Sequence, residues 1–160
     1  MAFHDDLLAQ AGDLIHKNEP NSTQADLRRA VSTAYYALFH LLISETVLHW
    51  GRESSKDAFG RMFDHGLMRK ASQRLLDSRL FPFAGEDPAL VRNLRIVAQA
   101  FIQLQDKRHI ADYHNGVQWT NIGSLREITI ARRAFRVWDK IRNEDIAQDY
   151  LVSLLIKSRD

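Results

Sequence analysis

The 160-residue sequence has the length of one domain with a core of its own, and we expect residues 1–160 to fold as a single helical domain. Hydrophobic residues make up 45% of the chain and charged residues 26%, as in ordinary globular proteins, and the lack of cysteine excludes disulfides and thiolate chemistry. A formal net charge of only +2 does not by itself indicate a nucleic-acid-binding protein.

The expected cellular location follows from two further features of the sequence. No apolar run approaches the roughly 20 residues that span a bilayer. The first residues also lack the basic and apolar regions of a signal peptide. We therefore expect a cytoplasmic protein that makes no contact with a membrane.

The first part of the chain is expected to form two helices. The first helix is predicted over about 5–17, where one face carries Leu7, Leu8, Ala11, Leu14 and Ile15. After a break at 18–22, Thr23 is a suitable N-cap for a long second helix over about 24–50. Gly51 is expected to end that helix, because glycine tolerates positive φ.

Two more helical regions follow in the middle of the chain. One is predicted over about 57–78, with Gly66 as a candidate break. The next has a clear start signal, since Asp87 is suited to the N-cap and Pro88 to the first helical position. That helix is predicted over about 88–109.

The last third of the chain contains one further predicted helix. The preceding helix is expected to fade after residue 109 and to stop at 115–116, an Asn-Gly pair. Ser124 and Glu127 form a capping-box pattern that opens a last helix over about 124–158. No segment alternates as a strand does, so we predict an all-α fold, an up-and-down bundle of about five helices.

The segment 107–114, Lys-Arg-His-Ile-Ala-Asp-Tyr-His, is the best candidate for chemistry. Arg108 can hold a phosphate by forked charge-assisted hydrogen bonds. His114 can act as general acid or base in attack by an RNA 2′-hydroxyl, a reaction that requires no metal. In an unbroken helix these two side chains point about 120° apart. They converge only if the helix breaks between them or if a second copy of the chain supplies the partner.

The remaining residues of this segment fit two interpretations. In the functional one, His109 orients His114 or contacts phosphate, and Tyr113 stacks on a base. In the structural one, Arg108 pairs with Asp112 four residues on, and Tyr113 is buried with a satisfied hydroxyl. The histidines then lie at a helix C-terminus, where the dipole favours positive charge. Residue spacing alone leaves both interpretations open.

No pattern in the sequence indicates a metal or another cofactor. His40, His49 and the pair Asp64-His65 could be assembled into a bundle site, but no Glu-x-x-His pair of the di-iron type accompanies them. Glycine-rich phosphate loops and Gly-x-Ser-x-Gly are also missing, which argues against P-loop hydrolases and typical serine esterases. We therefore expect no bound metal and no cofactor.

Two segments together resemble the HEPN superfamily of small helical proteins. One is 29–40, Arg-Ala-Val-Ser-Thr-Ala-Tyr-Tyr-Ala-Leu-Phe-His, which is similar to the tyrosine-rich early helix of prokaryotic members. The other is 108–114, which fits the family signature of an arginine and a histidine separated by a short spacer, here Arg-x5-His with the polar His109 after the arginine. The stretch 131–135 also fits the family layout, and the resemblance covers about 24–141.

The resemblance implies an HEPN-like bundle that forms a homodimer, with the arginine–histidine pairs of both subunits in one cleft. It also implies a metal-independent endoribonuclease that acts on RNA, often the toxin of a toxin–antitoxin pair with a nucleotidyltransferase-like antitoxin. Arg108, His114 and His109 would be catalytic, and Tyr113 and Asp112 would bind substrate. Other members have lost activity, so the alternative is a non-catalytic HEPN module that binds a nucleotide or a protein.

Overall fold

The computed structural model describes residues 1–77 and 79–157 of the chain. This part of the protein is helical and contains no strand, so the prediction of an all-α fold is confirmed. Its α-helices number seven, more than the bundle of about five that was predicted. They are α1 (Phe3–His16), α2 (Gln24–Leu48), α3 (Lys56–Gly60), α4 (His65–Leu76), α5 (Pro88–Tyr113), α6 (Asn121–Ile141) and α7 (Asp145–Ser153), with a 3-10 helix over Glu53–Ser55.

The starts of α2 and α5 follow the predicted N-cap signals. The Asp26 amide donates to Thr23 Oγ1 at 3.1 Å, and the Ala89 amide donates to Asp87 Oδ1 at 2.8 Å. Both bonds satisfy amides that a helix start leaves without an intrahelical acceptor. At its other end, α2 stops ahead of Gly51, and Gly51 lacks the positive φ that was expected of it.

The third helical region breaks earlier than predicted. The chain leaves the helix after Gly60, ahead of the candidate break at Gly66. Asp64 then begins a new helix, because its Oδ1 accepts a hydrogen bond from the Leu67 amide at 2.9 Å. The predicted end of this region, Ser78, lies outside the described residues.

The predicted capping box of the last helix is wrong. Ser124 and Glu127 lie inside α6 and are almost completely buried, with 0% and 3% exposure. The helix begins one turn earlier, where Thr120 Oγ1 accepts from the Gly123 amide at 2.9 Å. The sequence pattern matched a capping box, but both side chains are buried within the helix and do not cap its start.

A break at 142–144 divides the predicted last helix into α6 and α7. The carbonyl of Arg142 accepts a hydrogen bond from the side chain of Gln148 at 2.6 Å, in place of a bond that would continue the helix. The backbone at Glu144 is extended, with φ −81° and ψ 145°, and it forms the N-cap of α7. The predicted end of the helix at Ser158 lies outside the described residues.

The chain divides into two compact units, Met1–His40 with Gln103–Phe135 and Leu41–Ile102 with Arg136–Asp160. The first unit contains α1, the first part of α2, the end of α5 and most of α6. It has an apolar core of its own, whose largest fully buried side chains include Tyr35, Ile15, Leu27, Leu38 and Leu104. This unit carries all the residues of the predicted site.

One carboxyl group is buried in the first unit. Glu127 is 3% exposed, and one of its oxygens accepts a hydrogen bond from Gln103 Nε2 at 3.3 Å. Burial raises the pKa of Glu127, because it disfavours the charged form, while the Gln103 hydrogen bond and the charges of Lys107 and Arg126 partly oppose the rise.

The second unit contains a buried contact between two hydroxyl groups and a partly buried ion pair. The hydroxyl of Tyr150 lies 2.7 Å from Ser72 Oγ, and burial raises the pKa of Tyr150. The carboxylate of Glu45 accepts two hydrogen bonds from Arg142, at 2.7 and 3.0 Å, and this pairing raises the pKa of the arginine. Such bidentate pairs have well-defined geometry, so Arg142 is fixed at the break between α6 and α7.

Helix α2 is long and apolar enough to cross a membrane by length and composition. The sequence predicted the helix but not its membrane-spanning length and composition, because no apolar run of about 20 residues was identified. However, 61% of its most apolar window is buried inside the protein, and core helices pass the same test. The finding is therefore weak evidence for a membrane span.

Replacement of Arg142 by alanine is expected to lower the free energy of unfolding by about 2 kcal/mol, because it leaves the carboxylate of Glu45 buried without its partner. Chemical denaturation measures this change. Lys140→Ala, an exposed position on the same helix, is the control and should stay within about 0.5 kcal/mol of the parent. Equal effects of the two variants would contradict a stabilising role for the pair.

Because the carboxyl group of Glu127 is buried, we expect Glu127→Gln to change the free energy of unfolding in a pH-dependent way. Because the pKa of Glu127 is raised above 4.5 in the folded state, this carboxyl group contributes its full stabilisation below pH 4.5, and that stabilisation is lost as pH rises through the folded pKa. Glutamine does not titrate, so the variant does not lose stability in this way. It should be more stable than the parent at pH 7, and the difference in the free energy of unfolding should shrink at pH 4. A parent that is the more stable of the two at pH 7 would contradict the buried-carboxyl interpretation.

Candidate functional site

The predicted site lies at the C-terminal end of α5 and in the turn that follows. The helix continues to Tyr113, and the His114 amide still donates to the carbonyl of Ile110 at 3.0 Å. The expected fading after His109 therefore does not occur. Because the helix is unbroken, the side chains of Arg108 and His114 leave it in directions about 120° apart.

Arg108 is packed on two tyrosines of α2. Its guanidinium carbon lies 5.2 Å from the ring centroid of Tyr35 and 5.8 Å from that of Tyr36, which is the range of cation–π attraction. The side chain is only 16% exposed, and its Nε is buried with no hydrogen-bond partner in the described part of the chain. A buried donor without an acceptor is costly, and a ligand reaches this nitrogen only if the side chains around it move.

Asp112 forms a charged contact with Arg108. One of its oxygens lies 3.8 Å from Arg108 Nη1, beyond hydrogen-bond distance, and the same oxygen accepts a hydrogen bond from Ser32 Oγ at 3.3 Å. The ion pair that the structural interpretation predicted is thus present, but it is loose. Asp112 lies beside the guanidinium where a phosphate would also bind.

His109, Tyr113 and His114 form an exposed ring cluster. The ring centroid of His109 lies 5.1 Å from that of Tyr113 and 5.5 Å from that of His114, with the two imidazoles nearly perpendicular. All three residues are exposed, and Tyr113 is exposed by 64%. The alternative of a buried Tyr113 is therefore wrong. The structure brings the two histidines together and directs Arg108 away from them.

A row of polar residues on α2 holds this segment in place, and sequence reasoning missed it. We call Gln24, Arg28 and Ser32 the α2 polar row; they are four residues apart and share one helix face. Gln24 exchanges two hydrogen bonds with the backbone of Trp119, at 2.8 and 2.9 Å. Arg28 donates to the carbonyls of the turn after α5, and Ser32 donates to Asp112.

The spacing of the α2 polar row was visible in the sequence, but its partners were not. They lie between 80 and 95 residues away along the chain. Local pattern reasoning detects neighbours within one helix and has no access to contacts at this separation. Only the resemblance to a known family linked α2 to the 108–114 segment, and it did so through the tyrosines.

The histidines considered for a metal site are dispersed. His40 packs against the rings of Phe3 and Phe39, at centroid distances of 4.9 and 5.2 Å. Within residues 1–77 and 79–157, no three His, Cys, Asp or Glu side chains are grouped in a way that could hold a metal ion.

Comparison of this chain with protein-family models, curated proteins and solved structures gives no match. The chemistry of the site is therefore inferred from its own residues. They provide one cation stacked on aromatic rings, two adjacent exposed imidazoles and one exposed tyrosine. Such a set can bind a phosphodiester and transfer protons beside it.

Proposed function

We propose that this chain is a metal-independent endoribonuclease of the HEPN type that acts as a homodimer. The observation that carries the proposal is the exposed pair of imidazoles, His109 and His114, on the same segment as Arg108, whose guanidinium packs on two tyrosine rings. RNA supplies the groups that this set can use: a phosphate for the guanidinium, a 2′-hydroxyl for a base, and bases for stacking on Tyr113.

In the proposed reaction His114 takes the proton from the RNA 2′-hydroxyl, whose oxygen attacks the adjacent phosphorus. The bond from phosphorus to the 5′-oxygen breaks, and that oxygen takes a proton from a protonated imidazole. The products are a 2′,3′-cyclic phosphate and a free 5′-hydroxyl. Arg108 binds the phosphate and stabilises the negative charge of the transition state, and His109 orients His114.

The homodimer is proposed because one chain does not direct Arg108 and His114 to the same point. A second copy related by two-fold symmetry can place its histidine opposite the arginine of the first. Exposed apolar side chains near the motif support such self-association, since Tyr113, Val117 and Ile122 are exposed by 64%, 40% and 75%.

A second candidate is a non-catalytic HEPN module that binds a nucleotide or a protein. The contact between Asp112 and Arg108 favours the protein-binding form of this module, because a carboxylate beside the guanidinium competes with any phosphate. For the ribonuclease, the resemblance to HEPN proteins suggests a cytoplasmic toxin with a nucleotidyltransferase-like antitoxin as partner. Binding without cleavage distinguishes the module from the enzyme.

Purified protein is expected to cut mixed cellular RNA in excess EDTA. His114→Ala should lower the rate by roughly 10²–10⁴-fold, the usual effect of a lost acid–base group. Arg108→Ala should lower it similarly, and Arg108→Lys only partly, because lysine retains the charge but not the fork. Product analysis should find cyclic phosphate ends.

Two exposed residues provide matched controls for these variants. His49→Ala and Arg133→Ala remove the same side-chain types away from the motif and should cut as the parent does. A folded His114→Ala protein that cuts normally would refute the assignment. If the parent cuts nothing but binds nucleotide in a manner that needs Arg108, the binding module is the correct description.

Mixing two inactive variants tests the shared site. If Arg108 and His114 of one site come from different subunits, a heterodimer of Arg108→Ala and His114→Ala contains one intact site. After subunit exchange, a statistical mixture should recover about a quarter of the parent rate. A dimeric mixture that shows no recovery after proven exchange would place both residues of each site in the same subunit.

A further inference from the structure

The guanidinium of Arg28 is bound to the turn that carries His114. Its Nη1 donates to the carbonyl of Ala111 at 2.9 Å and to that of His114 at 3.2 Å. Its Nη2 donates to the carbonyls of His114 and Asn115, each at 3.2 Å, and to that of Val117. One side chain thus binds four carbonyls on the end of α5 and the turn beyond it.

These bonds replace a cap that the sequence led us to expect. A helix end leaves its last carbonyls without intrahelical donors, and an Asn-Gly pair commonly solves this with glycine at positive φ. Gly116 does not adopt positive φ, and in the described part of the chain the glycine that does is Gly85. Within α5, Arg28 binds the carbonyl of Ala111; its other three acceptors, the carbonyls of His114, Asn115 and Val117, lie in the turn beyond the helix.

The position of His114 depends on its backbone more than on its side chain. Its imidazole is exposed and contacts the ring of His109. Its carbonyl, by contrast, accepts from both terminal nitrogens of Arg28 and also from the Val117 amide at 3.2 Å. A planar guanidinium fixes the directions of several acceptors at once, which a lysine ammonium does not do.

We propose that Arg28 is a positioning residue for His114: by binding the carbonyls of the turn 111–117 it sets where the imidazole lies, without touching substrate. The proposal rests on the proposed ribonuclease function. Both terminal nitrogens of Arg28 are committed to backbone carbonyls, whereas the guanidinium of Arg108 packs on the rings of Tyr35 and Tyr36.

The test combines two measurements on Arg28→Ala, Arg28→Lys and the neighbouring exposed control Arg29→Ala. The first is amide hydrogen exchange at His114 and Val117, recorded without RNA. Both amides should exchange at least about tenfold faster in Arg28→Ala than in the parent, because the turn they close is released. Arg29→Ala should exchange as the parent does.

The second measurement is the rate of RNA cleavage. A misplaced acid–base group lowers turnover more than binding, so kcat of Arg28→Ala should fall about 10–100-fold while KM changes less than about threefold. Arg28→Lys should recover part of kcat, since it keeps the charge and can bind one or two of the carbonyls. General damage to the fold would not produce this split between kcat and KM.

The outcomes separate this inference from the function on which it rests. Unchanged exchange in Arg28→Ala, or fast exchange with unchanged kcat, overturns the positioning role. A parent that cuts no RNA overturns the ribonuclease and, with it, the effect of Arg28 on turnover, while hydrogen exchange still reports whether Arg28 holds the turn 111–117. If Arg28→Ala fails to fold by circular dichroism, Arg28→Lys is judged by the same two criteria.

Discussion

The candidate site depends on one constraint, the attachment of the irregular turn 114–120 to helix α2. Residues 114–120 lie outside α5 and α6, and each residue ordered in this way costs roughly 1–2 kcal/mol of backbone entropy. The α2 polar row offsets that cost through Gln24, Arg28 and Ser32, whose bonds reach from Asp112 to Trp119. Apart from these bonds, His114 is attached to α5 by the hydrogen bond from its amide to the carbonyl of Ile110.

Helix α2 combines this polar row with an apolar face. Leu27, Val31 and Leu38 are buried to 2% exposure or less and pack in the core of the first unit. The buried face holds the helix in place, and the hydrogen bonds of the α2 polar row hold the turn against the helix. Chemical groups are placed more accurately by helices than by free loops, which suits a reaction that needs an imidazole beside a phosphate.

The sequence predicted what is local and missed what depends on distant contacts. The N-caps at Thr23 and Asp87 and the all-α fold were readable, because their causes lie within a few residues. The break after α6 was not, since Arg142 is held by Glu45, which is 97 residues away. In the candidate site, the segment 108–114 was singled out from the sequence, but Arg28 was not, because nothing near it in sequence indicates which carbonyls it binds.

The contact between Arg108 and Asp112 does not prevent the site from binding phosphate. At 3.8 Å the pair lacks a hydrogen bond, and ion pairs four residues apart on a helix contribute only about 0.3–0.5 kcal/mol. A phosphate that forms forked charge-assisted bonds with the guanidinium gains about 1.5–3 kcal/mol for each bond. On the proposed function, phosphate would displace Asp112 at small cost. The displaced carboxylate would keep the hydrogen bond from Ser32, so the end of α5 would stay attached to α2.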